Sequence, residues 1–306
     1  MSFNDNISLD SSRIRDSRGG GGVGRGGGVA IGGGAGLLVL LLSIFAPGLA
    51  EDLGLTGGTQ TRTQQQPSGP QAIDECQTGA DANERIDCRI LATVESGDAF
   101  WKPYLAGYQV QWREPGVELF AGRVNTACGA ATSDVGPFYC PGDESMYYDT
   151  EFFDVLESRF GASGGPLAEE YVVAHEYGHH IQNIVGYLQY SQQGGTGPTS
   201  GAVRVELQAD CYAGMWAGHA AQTKDPESGE TFLQEVTETD LRDALSAAAA
   251  VGDDRIQQAS TGRVMPEAFT HGTSEQRMKW FMHGYQTSDI NQCNTLDHPN
   301  LDNPQA

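Results

Sequence analysis

The chain has 306 residues, 39% hydrophobic and 19% charged, which gives enough apolar material for a core of ordinary size and excludes both a wholly disordered chain and a mini-protein. Its 18 lysines and arginines against 40 aspartates and glutamates give a net charge of -22; residues 1–50 carry four arginines and three aspartates, +1, leaving -23 for the rest. No basic stripe interrupts that acidic field, so nucleic acid is excluded as a main partner.

Residues 1–28 are polar and end in a glycine-rich run around Arg18 and Arg25, a composition expected to form a disordered cytoplasmic leader outside the fold. Val29 to Leu49 runs for 21 residues without a charge, close to the length of a transmembrane helix. The arginines before it and Glu51-Asp52 after it place the amino terminus in the cytoplasm and the remainder outside, by the positive-inside rule. A cleaved signal peptide with Gly48 and Ala50 at its site is the rival reading, and a buried core helix is the third. Residues 50–71, rich in Thr, Gln, Gly and Pro, read as a flexible linker, so the folded domain is expected over 72–306.

Within that domain, apolar spacing predicts helices at Asp81–Ser96 and from Phe100 to about Tyr108, then short strands between Val110 and Tyr148. Helical spacing returns at Thr150–Phe160, Leu167–Leu188, Gly201–Ala221, Glu238–Ala259 and Ser274–Tyr285, the last preceded by a capping box at Thr273-Ser-Glu-Gln276. The expected class is therefore α+β, mainly α-helical, with a small sheet. Cys76, Cys88, Cys128, Cys140, Cys211 and Cys293 all lie beyond the hydrophobic run. In an oxidising compartment they form up to three disulfides, and nearest-neighbour pairing joins Cys76 to Cys88, Cys128 to Cys140 and Cys211 to Cys293, although six cysteines allow fifteen pairings. A thiolate zinc site is the rival, but no CxxC pair occurs.

The segment with the most chemistry is Ala168-Glu-Glu-Tyr-Val-Val-Ala-His175-Glu176-Tyr-Gly-His179-His180. His175 and His179 are four apart, so on a helix both imidazoles can grip one ion, and Glu176 beside them can take a proton from water attacking a carbonyl. Val173, Tyr177, Ile181, Ile184 and Leu188 form an apolar stripe on the other side, so the histidines are expected to face a cleft. A catalytic zinc takes three protein ligands. Gln182 and Val185 stand where a metzincin would have its glycine and third histidine, so the third ligand is sought in Val205-Glu206-Leu-Gln-Ala-Asp210. There, one carboxylate can bind zinc while the other orients a ligand histidine, and two acids on so apolar a helix need a cation or strong donors nearby.

His175-Glu-Tyr-Gly-His-His-Ile-Gln, Glu206-Leu-Gln-Ala-Asp-Cys-Tyr-Ala-Gly, Thr126-Ala-Cys-Gly, Gly136-Pro-Phe-Tyr-Cys-Pro141 and His271-Gly-Thr-Ser-Glu-Gln-Arg277 together resemble the bacterial neutral zinc metallopeptidases, over nearly the whole chain. The resemblance implies a zincin-like domain outside the cytoplasmic membrane behind a single membrane segment. It also implies Zn2+ held by His175, His179 and Glu206, with Glu176 as catalytic base in the manner of gluzincins. Asp210 is then the residue that orients a ligand histidine. His271, in a motif apart from the ligands, is the candidate donor to the oxyanion, ahead of Tyr177 and Tyr212. His180, offset by about 100° from His179, is read as structural. Asp143, Glu144 and Asp149 read as a solvated loop, and Phe100, Trp101, Tyr104 and Tyr108 as core.

The function expected is that of a membrane-anchored, extracytoplasmic zinc endopeptidase that hydrolyses peptide or protein substrates with a zinc-activated water and Glu176 as general base. The alternatives are a non-catalytic surface binding module, whose zinc would take a fourth protein ligand such as His180 or Cys211, and a zinc hydrolase of a non-peptide amide.

Overall fold

The computed structural model of the chain describes residues 2–18 and 73–306. It is a mainly helical α+β structure with two small sheets. The expected transmembrane helix at 29–49 and the linker at 50–71 lie outside the described residues. Among the described residues, no helix is long and apolar enough to cross a membrane.

The helical layer begins with α1 (Gly79–Glu84) and α2 (Ile86–Ala106). The break falls at Arg85, which is extended, and α2 then runs on through Gly97 and Asp98, where the sequence suggested an end. α3 (Glu151–Ser158) leads to α4 (Pro166–Val185), which opens with proline at its first position and stops at Gly186 in the left-handed conformation. α4 is the central helix and is buried almost all round, so the expected division into a packed side and an open side holds only for its short histidine stretch. α5 (Gly201–His219) starts at Ser200, whose hydroxyl accepts from the Val203 amide. The segment expected as one helix over Glu238–Ala259 is two, α6 (Glu238–Ala250) and α7 (Asp253–Thr261), parted at Gly252. α8 (Ser274–Gln286) has the expected capping box between Thr273 and Gln276.

The larger sheet has the order β1-β2-β6-β5, with β1 (Ile14–Asp16) parallel to β2 (Gly116–Phe120), β2 parallel to β6 (Ser145–Asp149), and β5 (Phe138–Cys140) antiparallel to β6 at the edge. β3 (Arg123–Thr126) and β4 (Gly129–Thr132) form a separate hairpin over Phe120, Val124, Val135 and Phe138. Three disulfides close all six cysteines in the nearest-neighbour pattern, Cys76–Cys88, Cys128–Cys140 and Cys211–Cys293. Of the acids expected in a solvated loop, Asp149 is buried and caps α3 by accepting from the Glu151 amide, and Glu144 pairs with Arg113. Phe100 and Trp101 are core residues, whereas Tyr108 is exposed.

The leader requires the main correction. Residues 2–18 are part of the fold: Phe3, Ile7, Leu9 and Ile14 are buried in the main core, and Ile14 pairs with Val117. Asn4 is held by Thr231, and the Ser8 amide donates to Asp225. Four apolar side chains scattered without a helical or strand period carry too weak a local signal to mark an element, yet they bury enough surface to dock. The pairing places residues 14–16 beside 117–119, within the same structure as the domain that begins at residue 73.

Phe3→Ala and Ile7→Ala should each destabilise the protein by about 2 to 5 kcal/mol in urea denaturation, the range for emptying a packed site. The same truncations in an undocked leader would leave the midpoint unchanged.

Candidate metal centre

α4 carries His175, Glu176 and His179, and α5 carries Glu206 and Asp210. What brings the two helices together at this point is Gly178, inside the histidine motif: a Cβ there would lie 3.0 Å from the Ala209 carbonyl oxygen and 3.1 Å from its Cα. A side chain at 178 would push α5 away, and with it both carboxylates.

The ligating atoms of His175, His179 and Glu206 lie within 4.8 Å of one another, and all three residues are buried. His175 Nε2 is 3.2 Å from Glu206 Oε2, and His179 Nε2 is 3.4 Å from Glu206 Oε1. The other ring nitrogens are already committed. His175 Nδ1 donates to Asp210 Oδ1 at 2.9 Å, and His179 Nδ1 to Gln182 Oε1 at 2.8 Å. Both rings are thereby oriented in the tautomer that turns Nε2 toward Glu206, and two imidazole nitrogens with a carboxylate are the donor set zinc takes. Gln182 is itself oriented, because its amide nitrogen donates to Val205 O and Gln208 Oε1.

Asp210 is wholly buried and fully engaged. It receives Tyr171 Oη at 2.5 Å, and Arg277 from α8 grips it side-on, Nε to Oδ2 at 2.8 Å and Nη2 to Oδ1 at 2.9 Å. Burial alone would raise its pKa, but Arg277 and His175 outweigh that and hold it below its ordinary value. Glu206 is held well below the carboxylate range in the same way, with His179 and His271 overcoming its burial. Burial and Arg277 oppose a charge on His175, yet Asp210 and Glu206 prevail and push the ring up to about 9. Glu176 goes the other way, raised chiefly by burial.

Glu176, His271 and Arg277 line one cleft with the metal-binding residues, and Pro137, Phe138, Phe152, Val172 and Val251 supply apolar walls. His271 is positioned by Asp253 at the start of α7. Asp253 Oδ2 accepts from the amides of Thr270, His271 and Gly272, while Oδ1 lies 3.2 Å from His271 Nδ1. The sequence-based candidates are therefore gathered here, apart from the two lesser ones: Tyr177 donates to Asp98, and neither it nor Tyr212 lines the cleft. His180 points elsewhere, donating from Nε2 to Arg113 O and accepting from Tyr139 at Nδ1, and burial pushes it down to about 4. Arg277, Gln182, Tyr171 and Asp253 are the site residues that sequence reasoning missed. Gln182 had a local signal, three residues beyond His179 on the same face; the demand for a cation near Glu206 and Asp210 pointed to Arg277 without identifying it.

The proton on His175 has to leave before Nε2 can bind zinc. Apparent zinc affinity should therefore rise about tenfold per pH unit up to about pH 9 and flatten above it, as read by chelator competition. In the metal-free protein the same shift adds stability that is complete below the ordinary value of 6.5 and is lost as pH rises through about 9. An affinity independent of pH over that window would mean that the ring is neutral before metal arrives.

The family described as "Putative neutral zinc metallopeptidase" matches residues 4–296. An uncharacterized protein of Mycobacterium tuberculosis is 56% identical over 229 residues, 75% of this chain and 77% of its own length. Uncharacterized protein YpfJ of Escherichia coli K12 is 40% identical over 288 residues, 92% of this chain and 93% of its own. No solved structure matches the chain at a significant level. With a family match that runs from the docked amino-terminal segment past the last helix, and with the donor set of a zinc site at its centre, the chain belongs to the neutral zinc metallopeptidase family.

Proposed function

We propose that the chain is an endopeptidase in which Glu176 is the general base and His271 the donor to the developing oxyanion. The observation that carries this reading is that Glu176, buried beside the three ligands, opens on the same cleft as His271. Zinc, when bound, supplies the Lewis acidity that polarises the scissile carbonyl and makes water a better nucleophile near neutral pH. The Glu176 carboxylate accepts the proton of the attacking water and passes it to the departing amine. His271, its Nδ1 side held by Asp253, offers the opposite ring nitrogen to the carbonyl oxygen as negative charge builds there. Asp210 keeps His175 in its binding tautomer and supports the imidazole against rotation.

A purely structural zinc needs a fourth protein ligand. The two candidates for it are engaged elsewhere, Cys211 in its disulfide with Cys293 and His180 with Arg113 and Tyr139, which favours an open coordination position. The three disulfides favour action outside the cytoplasm, and the docked amino-terminal segment favours a position on that same side. Membrane attachment rests on residues 29–49 alone.

At matched zinc content, Glu176→Gln should cut a mixed peptide library about a hundredfold to ten-thousandfold more slowly than the wild type, the usual contribution of a general base. Equal cutting by the zinc-loaded variant removes Glu176 from the role. A wild-type protein that leaves every peptide intact but hydrolyses a non-peptide amide moves the substrate class instead.

A further inference from the structure

We propose that Arg13, from the amino-terminal segment, is a positioning residue for the metal centre, acting through Asp98 and Tyr177 on the helix that carries the histidines. Arg13 Nη1 donates to Asp98 Oδ2 at 2.6 Å, and Tyr177 Oη donates to Asp98 Oδ1 at 2.5 Å. The three side chains therefore form one relay from the docked segment, across α2, to the residue between Glu176 and Gly178.

Tyr177 is two residues from each histidine, which places it about 200° round the helix, on the side away from the metal. Its ring is buried and packs on α2 where Gly97 has no side chain; a Cβ at 97 would come within 2.8 Å of Tyr177 Cε2. The ring thus sets how closely α4 approaches α2, and the hydroxyl sets its lateral position. That hydroxyl is only as well fixed as Asp98, a largely buried carboxylate that Arg13 neutralises. One turn earlier on α2, Glu95 accepts from the Asp10 amide at 2.8 Å, so the segment is gripped at two points along the same helix. Burial already raises the Asp98 pKa; without Arg13 the carboxyl either takes up a proton or turns toward solvent, and in both cases the charged acceptor that fixes the Tyr177 hydroxyl is lost. The histidines and Glu176 share a rigid element with Tyr177, so a small rotation of α4 moves all three against Glu206.

The proposal rests on the metal centre and not on peptide hydrolysis, and its test reads the metal. Full-length Arg13→Ala, Arg13→Lys, Tyr177→Phe and the Arg13→Ala/Tyr177→Phe double variant would be compared by chelator competition for zinc and by the visible spectrum of the cobalt-substituted protein. Arg13→Ala and Tyr177→Phe should each weaken zinc binding by about threefold to tenfold, less than the roughly tenfold to hundredfold loss when a group bonded directly to a ligand is removed. The double variant should bind no more weakly than either single one, Arg13→Lys should keep most of the affinity, and both single variants should shift the cobalt bands alike. If Arg13→Ala lowers the melting temperature but binds zinc with wild-type affinity and spectrum, the segment is only a packing element and the proposal fails. Additive effects in the double variant would overturn it too, because the relay would not be one path. Should Arg13→Ala not fold, Tyr177→Phe decides alone: it keeps the ring over Gly97, and unchanged zinc affinity overturns the proposal.

Discussion

Two buried carboxylates one helical turn apart are the constraint that organises this molecule. Glu206 and Asp210 sit on α5 with almost no solvent, and bare negative charge there would cost more than the fold can supply. With Glu176 the site holds three acidic groups. Arg277 supplies one positive charge and a divalent cation the other two, so the zinc-loaded site closes near neutrality. Before metal arrives the histidines and Arg277 offset these charges, and Arg277 is placed to serve Asp210 first, leaving Glu206 for the metal.

Much of the rest of the fold places donors around that pair. Gly178 allows α5 to touch α4, the capping box at Thr273 aims α8 so that Arg277 reaches inward, and the break at Gly252 starts α7 with Asp253, which holds His271. β5 is fixed to the same centre by a different route. Tyr139 is bonded to His180 and receives a donor from Asn183, both on α4, so the sheet edge that walls the cleft is registered against the histidine helix. His180 is therefore needed, but for shape.

What could be read in the sequence was what is local. His175 and His179 one turn apart, Glu206 and Asp210 one turn apart, and the helices that carry them follow from spacing within twenty residues. The cysteines twelve apart pair as near neighbours, and Cys211 with Cys293 follows by elimination. The partners that give the site its electrostatics come from afar: Arg277 lies 67 residues from Asp210, and no periodicity announces such a contact. His271 and Asp253 meet across 18 residues, through α7 and the turns beyond it. The joining of two expected helices into α2 was hidden for a related reason. Gly97 and Asp98 look like a stop until one knows that Tyr177 needs the glycine's space and Arg13 needs the aspartate's charge.

The amino-terminal segment gives the sharpest conflict between a local rule and the assembled structure. A three-residue parallel pairing is a weak attachment on its own, but it is joined by four buried apolar side chains and by Arg13 on Asp98. At its far end, Arg18 shares Asp87 with Arg85, one residue from Cys88, whose disulfide partner Cys76 follows closely on the start of the domain at residue 73. Residue 18 and the start of the second described stretch at residue 73 thus lie in the same neighbourhood. Arg13 and Arg18, two of the four arginines on which the positive-inside expectation rests, are paired here with buried or half-buried carboxylates.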